Sequence, residues 1–292
     1  MSPKVSVAGT GRMGSALATA LFRKGISTTV WNRTPAKTEP LARLGLRVAG
    51  SLEEAARVSE VVVIIVSDYA TAQQLLQDPG VVSALSGKSL VQLGTGTPQE
   101  ARKMESWANQ RNISYLDGAI MSYPSGIGAP ECTIFYSGSQ ELFARLQPVL
   151  MAFGGNTLFV GSAIGHASAL DMAGLAFVLS TMFGFLEGYI VCKEEGLAPE
   201  AFMESVKSML PTIEGILAGI STRIQSGDYI GNEATIEAWS VGPRELMAWC
   251  KERGMGHAIA RAQHHLFEQA MKAGRAQDDF AYLYEIMRKA DS

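Results

Sequence analysis

The stretch from Ala163 to Glu195 contains no proline, begins after Gly161 and stops at Gly196-Leu-Ala-Pro199. As one helix it would span about 50 Å at roughly 1.5 Å per residue, more than a small domain is wide. Its centre, Met172 to Leu186, carries no charge; the nearest charges are Asp171 and Glu187. A helix apolar on nearly every face has to be buried on every face, so packing against more than one neighbour is expected. A membrane span competes with that reading. The uncharged run is 15 residues with Ser180, Thr181 and two glycines, against about 20 apolar residues for a span. Met1-Ser-Pro-Lys also leads straight to a strand, without the basic region and apolar core of a signal peptide. A buried helix of a soluble protein, with no membrane partner, is expected.

The chain ahead of this helix alternates strands and helices. Lys4 to Ala8 is a short apolar strand that stops at Gly9-Thr10-Gly11-Arg12-Met13-Gly14. A helical pattern follows, with Met13, Leu17, Ala20 and Leu21 on one face. G-x-G-x-x-G between a strand and a helix is suited to a dinucleotide. Gly9 makes the tight turn, Gly11 admits a pyrophosphate to the backbone, and Gly14 lets helix and strand close-pack. The phosphates then meet unpaired N–H groups at a helix start. The next strand, Thr28 to Trp31, ends in Asn32-Arg33-Thr34-Pro-Ala-Lys37. An NAD-binding chain places a carboxylate there for the ribose 2′-hydroxyl. Neutral Asn32, two cations and the Thr34 hydroxyl suit a 2′-phosphate instead, so NADPH is the expected cofactor.

Val61 to Val66 is a β-branched run suited to a strand buried on both faces. Val66 and Ser67 stand at its carboxyl end, where open α/β sheets bind ligands. Ser51 with Glu54, and Thr97 with Glu100 after Ser89 to Leu93, are spaced as capping boxes. Thr95 and Gly96 lie in the loop between; Thr95 is either a flank to the nicotinamide ribose or a simple turn residue. Ile113 to Leu116 is a further strand, followed by a glycine-rich loop from Asp117 to Gly128. Thr133 to Tyr136 and Thr157 to Val160 close the sheet around a helix from Glu141 to Ala152. Beyond Gly161 only helices are expected, with Pro199 and Pro211 starting two of them. The fold is thus α/β: an N-terminal doubly wound sheet of Rossmann type over 1–160, and an all-α domain over 161–292 that begins with the long inter-domain helix. Two domains also suit 292 residues.

With 47% hydrophobic residues, 18% charged and a net charge of −3, the chain is an ordinary globular protein with no bias toward nucleic acid. Cys132, Cys192 and Cys250 are odd in number and in no metal-like spacing, and His264 and His265 point in different directions, so no metal site is expected. Reduced thiols suggest the cytoplasm. About 130 residues cannot easily cover a 50 Å apolar helix, so an intertwined two-fold homodimer is expected. Each site would then lie between the sheet domain of one chain and helices of its partner.

Several motifs together resemble the imine reductases and reductive aminases within the β-hydroxyacid dehydrogenase superfamily. They are the first glycine motif, Val30-Trp-Asn-Arg-Thr34 with Lys37, Gly96-Thr97-Pro98, Gly118-Ala-Ile-Met-Ser-Tyr-Pro124 with Ile127-Gly128, and Ser226-Gly-Asp-Tyr229. The similarity runs over essentially the whole chain. Hydroxyacid dehydrogenases carry a lysine at the end of a G-x-x-x-x-x-K arrangement early in the long helix. Here Gly165-His-Ala-Ser-Ala-Leu-Asp171 has an acid, as imine reductases have an acid or a tyrosine. The resemblance implies that Asp171 is the proton donor or iminium anchor. It implies a substrate that is an imine, or a carbonyl plus an amine, in an apolar pocket. Residues for that pocket are Met121, Ser122, Tyr123, Leu175, Leu179, Met182, Met209 and Trp239, each of which also reads as plain core. The tyrosine that better-matched reductive aminases carry two turns after the acid is Leu179 here, and their nicotinamide-loop asparagine is Thr95. Ketone–amine condensation would lack those two groups.

The exchange of lysine for acid makes chemical sense by itself. A lysine stabilises the alkoxide character of alcohol oxidation; imine reduction runs through a cationic iminium, which a carboxylate favours and a carboxylic acid can protonate. Apolar neighbours such as Leu170, Met172 and Leu175 would raise the Asp171 pKa toward working pH. A helix-start aspartate facing the dipole is the structural alternative. Two other functions compete with imine reduction: a β-hydroxyacid or short aldehyde dehydrogenase, and a non-catalytic NADPH sensor.

Overall fold

The computed structural model describes residues 3–289; Met1, Ser2 and residues 290–292, at the outer ends of the two expected domains, lie outside the described residues. Among the described residues eight strands form one sheet: β1 (Val5–Ala8), β2 (Thr28–Trp31), β3 (Arg47–Val48), β4 (Val61–Ile64), β5 (Ser89–Gln92), β6 (Ser114–Ile120), β7 (Thr133–Gly138) and β8 (Asn156–Phe159). Their order is β3-β2-β1-β4-β5-β6-β7-β8, and all ladders are parallel except β6 with β7. Helices α1 (Arg12–Arg23), α2 (Glu39–Arg43), α3 (Leu52–Val58), α4 (Tyr69–Leu76), α5 (Pro79–Leu85), α6 (Pro98–Asn109) and α7 (Gln140–Phe153) connect them. Two cores result, one on each face. Leu17 and Leu21 of α1 meet Leu146, Leu150 and Phe153 of α7 over Val5, Val7 and Val63. Leu76, Leu85 and Met104 from α4, α5 and α6 pack on Val62, Ile64 and Leu90. Alternate β-branched residues feed opposite faces, which is why the buried strands read as continuous apolar runs.

The remaining helices are α8 (His166–Glu194), α9 (Pro199–Ser226), α10 (Ile236–Glu252), α11 (Ala258–Lys272) and α12 (Leu283–Met287). Contacts divide the chain into the compact units Met1–Leu179 and Ser180–Ser292. The first half of α8 belongs to the sheet unit. The second unit is all helical, and its core is built on Ile236, Phe267, Ala270 and Leu283.

Several expectations are corrected. The loop expected from Asp117 begins only after Ile120, because β6 continues opposite β7 in the register Asp117↔Ser137 to Ile120↔Ile134. Gly118 permits that pairing: a Cβ there would come within 2.9 Å of the Tyr136 ring. The Ser51 capping box is half formed. Ser51 accepts from the Glu54 N–H, but the Glu54 carboxylate turns to the Gly50 N–H at 2.8 Å. Thr97 and Glu100 make the full box. Pro211 starts no helix and sits inside α9. Its flanks, Met209-Leu210 and Thr212-Ile213, hold no turn residue, so helix on both sides outweighs the roughly 3 kcal/mol cost of an interior proline.

Within the single chain α8 is not buried on every face. Among the described residues only Ala167, Ser168 and Asp171 of this helix are buried, while Phe177 is 57% and Leu186 56% exposed. Its first turns lie on the sheet, and further along Phe185 and Tyr189 meet Phe202 of α9, while much of its apolar surface stays exposed. Among the described residues α8 is the one helix long and apolar enough, by length and composition, to cross a membrane.

Candidate active site

The carboxyl ends of β1, β2 and β4 surround a cleft of about 340 Å³. Gly9 adopts φ +99°, and a Cβ on it would overlap the Ile65 carbonyl. A Cβ on Gly14 would overlap the Gly9 carbonyl, whereas one on Gly11 would meet nothing within 4 Å. Gly9 and Gly14 are therefore demanded by packing, and Gly11 leaves open a cradle at the start of α1. Gly9, Gly11, Arg12, Met13, Gly14, Asn32, Arg33, Thr34, Lys37, Val66 and Ser67 all line this cleft, together with Trp31, Ile65, Thr71 and Leu75. Three cations and no carboxylate stand among them. That donor set fits a phosphorylated dinucleotide, with Arg33, Thr34 and Lys37 to hold a 2′-phosphate.

Thr10 is the exception, for it is buried and braces the loop. Its N–H donates to Asn32 Oδ1 at 2.9 Å, and its hydroxyl to the Lys37 carbonyl at 3.2 Å. Asn32 Nδ2 donates in turn to the Thr34 carbonyl at 3.1 Å. An amide can accept and donate at once, which an aspartate cannot. Asn32 thus shapes the basic turn as well as lacking a ribose carboxylate.

A second cavity of about 210 Å³ shares Met13, Ile65, Val66 and Ser67 with the cleft and continues past Leu93, Gly94, Thr95, Ala119 and Ile120 to Asp171. Gly96 lies apart, held against the Tyr69 ring. Asp171 is 6% exposed. Burial pushes its carboxyl above the usual range, and the nearby charge of Asp117 pushes the same way. The desolvating surface is the sheet's, not the one expected from the sequence: Leu170, Met172 and Leu175 are each at least 40% exposed.

The start of α8 is fastened to the sheet. Gly165, at φ +91°, lies so close to the strand-end loop that a Cβ would come within 2.8 Å of the Pro98 carbonyl. The Ala167 N–H donates to Ser137 Oγ at 3.0 Å. Ser168 donates to Asp117 Oδ2 through its N–H (3.3 Å) and its hydroxyl (2.9 Å). An anion at a helix N-terminus is favoured by the dipole, and here Asp117, from a distant strand, takes that place. Asp171 stands in the second turn, beyond it. Asp117 was missed because a strand aspartate before a glycine reads as the start of a turn.

The substrate set divides. Met121 reaches α8, its Cε 2.6 Å from where a Cβ on Gly174 would stand, so Met121 lies one turn from Asp171. Ser122 donates to the Tyr123 carbonyl, and the Tyr123 ring is 72% exposed. Leu175 and Leu179 belong to the sheet unit, and Met182, Met209 and Trp239 to the helical unit; all five are exposed to between 40% and 49%. Among the described residues no acid, histidine or cysteine cluster could hold a metal.

A dinucleotide cleft running into a cavity with a buried acid defines a nicotinamide-nucleotide-dependent oxidoreductase. Comparison with known proteins narrows the class. Residues 4–161 match the family described as the NAD binding domain of 6-phosphogluconate dehydrogenase, and residues 163–289 that described as the NADPH-dependent reductive aminase-like C-terminal domain. An NADPH-dependent reductive aminase of Aspergillus oryzae is 28% identical over 292 residues, 99% of this chain and 98% of the relative. The imine reductase of Myxococcus stipitatus in complex with NADP+ is 42% identical with a TM-score of 0.92, over 98% of this chain and 100% of that one. A reductive aminase of Aspergillus terreus, solved with NADPH and ethyl levulinate, is 30% identical with a TM-score of 0.90, over 99% and 100%. This chain belongs to the imine reductase and reductive aminase family.

Proposed function

We propose that the chain reduces C=N bonds with NADPH and that Asp171 manages charge and proton at the substrate nitrogen. NADPH, when bound, supplies hydride from nicotinamide C4 to the imine carbon. The single observation that carries the reading is a buried acid, raised in pKa, at the end of a cavity continuous with a carboxylate-free basic cleft. Arg33, Thr34 and Lys37 hold the 2′-phosphate end, and Gly11 leaves room for the pyrophosphate. Thr95 and Ser67 border the cavity between that end and Asp171. Ala119, Ile120 and Leu93 keep water from the acid, so its proton stays on the carboxyl at higher pH and is available to the nitrogen. An acid at this position, where a hydroxyacid dehydrogenase needs a cation, favours an iminium and opposes an alkoxide.

Residues 1–160 act as the cofactor domain and 161–292 as the substrate and dimerisation domain. The exposed pocket residues Leu175, Leu179, Met182, Met209 and Trp239 gain their apolar surroundings in a homodimer whose partner covers α8. The free thiols of Cys132, Cys192 and Cys250 suit the cytoplasm. NADPH consumption with a cyclic imine, run beside NADP+ reduction with a β-hydroxy acid, tests the activity. Turnover of the imine alone is expected; turnover of the acid alone would overturn the reading, and silence with both would favour a sensor.

A further inference from the structure

Asp117 is fully buried at the middle of the sheet, and no cation pairs with it among the described residues. The hydrogen-bond partners of its carboxyl, Tyr69, Ser168 and Ser137, are donors. The Tyr69 hydroxyl, at the start of α4, donates to Oδ1, and the Tyr115 hydroxyl donates to Tyr69 at 3.4 Å. Both Ser168 donors reach Oδ2. Burial pushes the Asp117 carboxyl above the usual range; the donors converging on both oxygens and the N-terminus of α8 oppose that push and favour the ionised form. Asp171 follows Ser168 by three residues, so the two share a face of the helix.

We propose that Asp117 is a positioning residue for the reduction: tied to Tyr69 and Ser168, it seats the first turn of α8, fixes where Asp171 meets the cavity, and sets a second negative charge behind it. The proposal rests on the reading of Asp171 as the proton-handling acid. Two carboxyls close together resist ionising together. Burial raises both carboxyls, but the donors around Asp117 pull it back toward its ionised form, whereas burial and the charge of Asp117 both favour the protonated form of Asp171. The other groups around Asp171 do not compete for this role. No further charged side chain lines its cavity, His166 on α8 and Asp68 ahead of α4 are exposed, and burial holds Tyr69 and Tyr115 protonated.

The test is the alkaline limb of kcat for a cyclic imine at saturating NADPH, read as the part that Asp171→Asn removes. In Asp117→Asn that limb should move to lower pH, with the KM for NADPH unchanged because the basic cleft is untouched. Tyr69→Phe and Ser168→Ala each remove a donor and leave Asp117 less ionised, so both should move the limb the same way by less; they also serve if Asp117→Asn does not fold. A limb lost in Asp171→Asn but unmoved in all folded variants of Asp117, Tyr69 and Ser168 would overturn the proposal while Asp171 keeps its role. A limb that survives Asp171→Asn would remove the reading of Asp171 and the proposal together.

Discussion

At the scale of single residues the three glycines of the first loop have different jobs. Gly14→Ala would press a methyl group into the Gly9 carbonyl, an overpacking that typically costs about 1–3 kcal/mol. Its melting temperature should fall by several degrees even without cofactor. Gly11→Ala meets only open space and should leave the melting temperature in place. Its methyl group would instead stand where the pyrophosphate passes, raising the KM for NADPH roughly tenfold, the order of one lost hydrogen bond. A scan of both variants with and without NADPH separates packing from binding. Asp171→Asn should lower kcat by about 10²-fold or more, the usual scale of a proton-transfer group. The folded carboxyl sits above its unfolded pKa, so the native state binds the proton more tightly. Wild-type stability from this group is therefore full below the unfolded pKa, is lost as pH rises through the folded value, and rises again as pH falls from the folded value toward the unfolded one. The variant should lack that rise and match or exceed wild type at pH 8; thermal melts from about pH 4, near the unfolded carboxylate value, to pH 8 read the sign.

Elements were legible in the sequence wherever local chemistry set them. The start of α1 follows from three spaced glycines, α6 from Thr97, Pro98 and Glu100, and β4 from its β-branched run. Asp171 could be picked out because charge stops there at the edge of an apolar helix. The features that escaped depend on partners distant in sequence. Asp117 to Ile120 joins β6 only because β7 lies opposite, and the sheet rather than α8 desolvates Asp171. Glu54 turned to Gly50 instead of Ser51, a choice between two nearby N–H groups that spacing alone does not make. The anchoring of α8 belongs to the same scale. Gly165→Ala would place a Cβ at φ +91° within 2.8 Å of the Pro98 carbonyl, and the first turn would have to shift. Because a misplacement of about 1 Å can cost roughly 10²-fold in rate, kcat should drop strongly while NADPH binding, measured by quenching of protein fluorescence, stays near wild type. Equal losses in both would mean that the helix start supports the whole domain and not the acid alone.

At the scale of the molecule the central question is what covers α8. Apolar side chains emerge on every side of it, Phe177 and Phe183 among them at 57% and 51% exposed, and α9 adds Leu210 at 54%. A soluble monomer rarely shows a contiguous apolar patch beyond a few hundred Å². A lipid bilayer would satisfy the same side chains, yet Ala167, Ser168 and Asp171 are seated on a sheet with Asp117 and Ser137. A bilayer would have to accommodate that sheet at one end of the helix. A second copy crossing the same helix meets no such obstacle, and a two-fold axis would let each α8 cover the other. Light scattering at micromolar concentration should give the mass of two chains, and the protein should stay in the supernatant without detergent. Leu186→Glu, in the middle of the uncovered surface at 56% exposed, would bury a charge against apolar neighbours. It should push the mass toward one chain and, in the proposed dimer where the partner surrounds Met182, Met209 and Trp239, take imine reduction with it. A dimer that persists with full activity in this variant would place the contact elsewhere.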